Sequence, residues 1–182
     1  AKAKTVAAFV RMMVESGEAV VLWGWHRDVY QIWNDELADL RPAMYTGSES
    51  ATQKEAAKHR FLKGDTNVLI MSLRSGAGVD GIQMRCAIGV FGELDWSPGI
   101  HQQCIWRLDR EGQTQPVTAF FLVTDDGSDP PMMDVLGIKA SEAQSIVDPH
   151  LGVEVKEDDR SHLRRLVDRY LDKKRKRESV PV

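Results

Sequence analysis

Cysteine is scarce: Cys86 and Cys104 are the whole complement, too few for a disulfide framework and in keeping with a reducing compartment. No apolar run approaches the ~20 residues of a membrane-spanning helix, and no signal-peptide pattern opens the chain. Charge of one sign is lacking as well. The formal net charge is -3, so there is no global basic footprint for nucleic acid and any basic surface is local. The chain has no G-x-x-x-x-G-K-[ST] and no Gly-Lys pair, which excludes a P-loop of its own. CxxC, HExxH and GxSxG are absent, and the histidines show no metal-ligand spacing. Asp35-Glu36 has the outline of a magnesium-holding pair but sits inside an amphipathic helix pattern, where it reads as a solvated face. At 42% hydrophobic and 28% charged residues, the composition excludes wholesale disorder and fibrous repeats. Its 182 residues suit one domain with an appendage, and the start at Ala1 rather than methionine fits a piece of a longer protein.

What is present alternates. Val6, Phe9, Val10, Met13 and Val14 fall at helical spacing behind Thr5, with Gly17 placed to end the helix. Residues 19–25 form a short apolar run rich in strand formers. Asp28 is the expected cap of a helix whose apolar face is Val29, Ile32, Trp33, Leu37 and Leu40. Residues 42–46 read as a second strand, and Ser50 with Gln53 forms a capping box opening a helix to about Lys63. Further strands are expected at 67–72, 86–91 and 116–124, with a helix over 98–110 that has proline at its start. Strands without polar alternation, separated by helices, imply a parallel sheet covered on both faces, hence an α/β layer domain with ligands at the carboxyl ends of its strands.

Past Asp125 a turn-rich stretch (DDGSDPP) breaks the pattern. Short helices are expected within 132–147, and 154–160 is mainly acidic. The spacing of Leu163, Leu166, Val167, Tyr170 and Leu171 is helical, and the basic run Lys173-Lys174-Arg175-Lys176-Arg177 follows. The expected division is 1–125 for the layer domain, 126–160 for a linker with short helices, and 161–182 for a basic amphipathic helix and tail.

Three polar segments follow strands. Thr46-Gly47-Ser48-Glu49-Ser50 opens a helix, where free N–H groups and small hydroxyl residues suit one phosphate, or simply make a good N-cap. Residues 72–81 (SLRSGAGVDG) hold three glycines in six positions, which lets backbone approach a ligand, while Arg74 supplies charge. In 103–113 (QCIWRLDREGQ), Arg107 and Arg110 are three apart and on a helix would share a face. Two guanidiniums on one phosphate suit the charge that builds in phosphoryl transfer; the plain alternative is surface pairing with Asp109 and Glu111.

Gln103-x-x-x-Arg107-x-x-Arg110-x-Gly112-Gln113, followed by Thr114-x-Pro116-Val117, resembles motif VI of superfamily 2 helicases, and more closely the SWI/SNF-type translocase branch, whose form is QxxxRxxRxGQTxPV. Asp95-Trp96-Ser97-Pro98 is similar to that branch's D-W-N-P, and Ser72–Gly81 to its motif V. Gly47-Ser48-x-Ser50, then Lys54 and Phe61, is similar to its G-S-x-S…R…RF segment, and Val20–Trp25 to motif IV. The match covers roughly residues 3 to 125. The resemblance implies a RecA-like three-layer parallel sheet with helices on both faces and a helical C-terminal extension: the second lobe of an ATP-dependent DNA translocase. A first lobe of the same parent chain, its partner, would carry the P-loop and most of the contacts to ATP and Mg2+.

By position, the resemblance implies that Arg110 and Arg107 face the γ-phosphate, with Arg110 the finger, and that Gln103, Gly78 and Asp80 lie on the nucleotide side. Gly47, Ser48, Ser72, Leu73 and Arg74 would meet DNA phosphates, joined by Lys173, Lys174 and Arg175 of the basic run. Departures are Leu73 at the motif V threonine, one extra residue between Ser72 and Trp96, and Cys104 and Trp106 within motif VI. The alternative is a non-catalytic nucleic-acid-binding or interaction module derived from such a lobe, which a P-loop upstream of Ala1 would discriminate. A cytoplasmic setting, bacterial or phage-encoded rather than nuclear, is expected.

Overall fold

Five parallel strands lie in the order β2-β3-β1-β4-β5. They are β1 (Val20–Gly24), β2 (Ala43–Tyr45), β3 (Val68–Ser72), β4 (Ile88–Phe91) and β5 (Thr118–Phe121), joined by α1 (Lys2–Glu15), α2 (Arg27–Glu36), α3 (Ala51–Lys63), α4 (Pro98–Ile105) and α5 (Asp129–Leu136), with 3-10 turns at Ala38–Leu40 and Ile82–Met84. The structure is a computed structural model that describes residues 2–75, 79–125 and 127–136, and 168, 171 and 175 singly. The expected segments at 137–147, 154–160 and most of 161–182, with Lys173 and Lys174, lie outside the described residues, as does Gly78.

The alternation of side chains along each strand builds two cores. Val20, Leu22, Val68, Ile70, Ile88 and Val90 face α1 and α2, meeting Val6, Val10, Met13 and Trp33. Val21, Trp23, Leu69, Met71 and Phe91 face α3 and α4, meeting Phe61, Cys104 and Leu108. β1, β3 and β4 are therefore buried on both faces, which is why the sequence shows apolar runs there rather than alternation. On the α4 side Trp23, Phe91 and Phe121 stack in a row across β1, β4 and β5, with centroids 4.8 and 4.5 Å apart. The layered α/β fold is the one expected from the sequence.

Local signals fare unevenly. The Ser50–Gln53 box is formed: Ser50 N–H donates to Gln53 Oε1 (2.8 Å) and Gln53 N–H to Ser50 Oγ (3.3 Å). Gly17 ends α1 in the left-handed region, at φ 103°. Asp28, by contrast, lies within the first turn of α2, whose N-cap is His26. The helix expected over 98–110 stops at Ile105.

Both large rings pack directly on glycine. A Cβ at Gly89 would stand 2.3 Å from Trp23 Cζ3, and one at Gly92 would stand 2.4 Å from Trp33 Cζ2. Since both tryptophans are fully buried, neither ring has room to withdraw. Gly89→Ala and Gly92→Ala should each lower stability by ~1–3 kcal/mol in chemical denaturation. Gly47→Ala, where a Cβ meets nothing within 4 Å, should stay within ~0.5 kcal/mol of wild type.

Candidate functional site

Parallel strands deliver the loops after β1, β2, β3 and β4 to one edge of the sheet, and main-chain bonds continue past the strand ends. Leu73 N–H donates to Gly24 O (2.9 Å) and Gly92 N–H to Trp23 O (3.0 Å). The turn into α2 is held from a distance: the Glu93 carboxylate accepts from the N–H groups of Trp25 (2.7 Å) and His26 (3.0 Å) and contacts His26 Nδ1 (2.6 Å), a negative charge placed at the helix start. The N-cap residue His26 makes no side-chain cap bond.

The loop after β3 is tied across the same edge by Arg74. Its guanidinium lies 4.8 Å from the Trp25 ring centroid, and donates through Nε to Asp95 Oδ2 (2.9 Å) and through Nη2 to Oδ1 (3.3 Å). Burial pushes the Asp95 carboxyl up, but the Arg74 guanidinium and the Ser97 N–H outweigh burial and hold it below the usual carboxylate range. Arg74 therefore joins the loops after β1, β3 and β4, and much of its charge is met by Asp95. Leu73 is corrected more sharply. Its side chain is in the core and its N–H is taken by Gly24, so neither is presented to a phosphate. Ser72 turns toward its own loop, Oγ accepting from Arg74 N–H (3.3 Å) and its carbonyl from Ser75 Oγ (2.7 Å).

The turn after β2 supplies its own anion. Thr46 is buried, and Glu49 Oε2 accepts from its N–H (2.5 Å) and its Oγ1 (2.9 Å). Ser48 N–H donates to Thr46 Oγ1 (3.3 Å). Within the segment expected to suit a phosphate, the N–H groups of Thr46, Ser48 and Ser50 are thus engaged by nearby protein acceptors. Gly47 and Ser48 remain as its exposed face, beside a cleft of about 290 Å³ that Arg27, Asn34 and Thr46 also line.

The motif VI segment has a geometry other than the expected one. Past Ile105 the chain continues in turns, with Trp106 half-exposed and Cys104 and Leu108 buried as pegs on either side. Arg107 and Arg110 consequently do not share a helix face. They converge instead on the loop after β3: Arg107 Nη2 donates to Ser75 O (2.9 Å), and Arg110 pairs with the Asp80 carboxylate. Gly112, at φ 92°, and Gln113, whose Nε2 donates to Cys86 O (2.9 Å) and Leu108 O (3.2 Å), close the turn. Gln103 is exposed on α4. Both thiols are buried, which pushes Cys86 and Cys104 up to about 12 and keeps them neutral. Among the described residues no group of three His, Cys, Asp or Glu is set to hold a metal. Arg175, at the far end of the chain, is exposed and helical.

Sequence reasoning missed Trp25, Glu49 and Glu93, and gave Asp95 no role. Asp95 carried a signal in the D-W-N-P-like run Asp95-Trp96-Ser97-Pro98. His101 was missed too. Burial lowers its pKa, against the Ser97 backbone and the Asp95 charge, which raise it; its Nε2 accepts the Asp95 N–H (3.2 Å) and its ring meets Phe91 edge-on. The folded chain thus binds fewer protons there than the unfolded chain. The contribution to stability is full above ~6.5, the ordinary histidine value, and is lost as pH falls below it. Unfolding midpoints taken from pH 7.5 to 5 should fall in wild type and fall less in His101→Gln.

No protein-family profile matches the chain. It is 29% identical over 127 residues to Protein CHROMATIN REMODELING 19 of Arabidopsis thaliana, spanning 68% of this chain and 16% of that protein. It is 26% identical over 132 residues to SWI/SNF-related matrix-associated actin-dependent regulator of chromatin subfamily A-like protein 1 of Xenopus tropicalis, spanning 71% of this chain and 14% of that one. An ATP-dependent helicase of Schizosaccharomyces pombe is 34% identical over 89 residues, 48% of this chain and 8% of its own length. In structure, the C-terminal part of the Fun30 ATPase domain superposes with a TM-score of 0.66 at 19% identity, covering 74% of this chain and 44% of that one. The chain therefore spans a small fraction of its relatives' length. Sequence relatives and fold bear out the resemblance to a C-terminal RecA-like lobe of the SWI/SNF branch of superfamily 2. One expectation is overturned: the cytoplasmic, bacterial or phage setting does not fit relatives that are eukaryotic, two of them named for chromatin.

Proposed function

We propose that this chain, similar to a C-terminal RecA-like lobe of the SWI/SNF branch, is the second motor lobe of an ATP-dependent DNA translocase. The observation that carries the reading is the convergence of Arg107 and Arg110 on the loop after β3, at the edge where ligands of parallel sheets gather. A first lobe of the parent polypeptide would bind ATP and Mg2+, the metal neutralising charge on the phosphates. This lobe contributes cations. Arg110, half-exposed at the rim, reaches the transferred phosphoryl group when the lobes close and stabilises its developing charge; Arg107 braces the loop alongside. In this reading Gln103 lies on the nucleotide side.

The same loop and the turn after β2 face the DNA backbone in this reading. Phosphate contacts position a protein without reading sequence, which suits a motor that steps along duplex. Gly47 offers an open backbone and Ser48 a hydroxyl beside the exposed Arg27, while Arg74 on the loop after β3 is shared with Asp95. The basic run at Lys173, Lys174 and Arg175 supplies the charge that this edge has little of.

Two measurements test the reading. The 182-residue chain alone should show no ATP turnover, with or without duplex DNA; turnover by the pure chain that depends on Arg110 would show a complete site and end the half-site account. On the DNA side, Ser48→Ala in the parent should weaken duplex binding equally for all sequences and leave the salt dependence unchanged, because a hydroxyl releases no counterion. Deleting 173–177 should flatten the slope of log affinity against log salt by about one for each phosphate that the run neutralises.

A further inference from the structure

Arg107 donates to the Ser75 carbonyl, and Arg110 pairs with the Asp80 carboxylate. We propose that Asp80 is a positioning residue that parks Arg110 within its own lobe, so that the guanidinium must leave Asp80 before it can reach a phosphate. The inference rests on the reading of Arg110 as the arginine that faces nucleotide.

A guanidinium fork binds carboxylate and phosphate in the same planar, charge-assisted geometry, so the two anions compete for one group. The carboxylate is on the better-anchored side. Val79 before it is buried, Gly81 after it takes φ 94°, and Gly81 N–H donates to Gln83 Oε1 (3.0 Å) at the start of the 3-10 turn. Arg110 sits on a long stem beyond the buried Leu108. The pair itself is open to water, its side chains 47% and 74% exposed, and an exposed pair biases such an equilibrium by about two- to fivefold. That is enough to hold the arginine back without nucleotide and too little to resist a phosphate of higher charge. Leaving Asp80 also frees the far end of a loop whose near end lies on the DNA side, so the exchange links nucleotide to DNA grip.

The test is ATP turnover by the parent polypeptide carrying Asp80→Asn, without DNA and with saturating duplex, with the thermal midpoint of each variant as a folding control. Removing the parked charge should lower KM for ATP and raise DNA-independent turnover, each about two- to fivefold, with kcat at saturating DNA little changed. Asp80→Ser should behave like Asp80→Asn, and Asp80→Glu like wild type. In an Arg110→Ala background Asp80→Asn should have no effect, as a coupled pair requires. Unchanged KM and basal turnover would overturn the proposal, as would a kcat lowered as far as by Arg110→Ala, which would mean that Asp80 aims the arginine instead of holding it. Should Arg110→Ala itself retain full turnover, the failure lies in the half-site reading and not in the role of Asp80.

Discussion

A guanidinium cannot shed its charge at any physiological pH, and three arginines at the edge of this sheet meet acceptors within the protein. Arg74 finds Asp95, Arg107 the Ser75 carbonyl and Arg110 the Asp80 carboxylate. These three pairings determine the shape of the edge. They draw the loops after β1, β3 and β4 and the segment after α4 onto one another, and they do so above a sheet whose central strands are buried on both faces. The sheet sets the positions of the loops; the arginines determine how the loops are joined.

The joining is graded. Arg74 is held on two sides, by the Trp25 ring and by a carboxylate whose pKa the contact lowers against the effect of burial, and it therefore acts as a strut. The turn after β2 is likewise self-contained, since Glu49 occupies the place of an external anion over Thr46. Arg110 is about as exposed as Arg74, but its partner Asp80 is exposed where Asp95 is buried. A lobe that grips one ligand and senses another needs both kinds of contact: stiff ones to keep the loop in place and a weak one that can be exchanged.

What the sequence made legible is what is local. Apolar runs without alternation named the parallel sheet, the Ser50–Gln53 spacing named the start of α3, and Gly17 named the end of α1. The failures come from partners distant in sequence, from packing and from a local tightening of the chain. Asp28 looked like the cap of α2 because it stands just before the apolar face, while the turn into the helix is held by Glu93, which arrives from the loop after β4. Leu73 was expected at a phosphate from its place in the motif, through its backbone amide, but packing buries it and Gly24 takes its N–H. The spacing of Cys104 and Leu108 suits a continuing helix, and both are buried; yet the chain past Ile105 tightens into turns, Leu108 N–H donating to Ile105 O (2.9 Å), and leads to Gly112 in the left-handed region. The ordered motifs carried the resemblance well, and they carried the side-chain geometry poorly.

The central claim is that this lobe completes a nucleotide site that it does not itself contain. Duplex-stimulated ATP turnover by the parent polypeptide with Arg110→Ala, measured beside its affinity for the same duplex, tests that claim most directly. The account predicts a loss of turnover of about a thousandfold or more with affinity for duplex nearly intact; wild-type turnover, or equal losses in turnover and affinity, would contradict it.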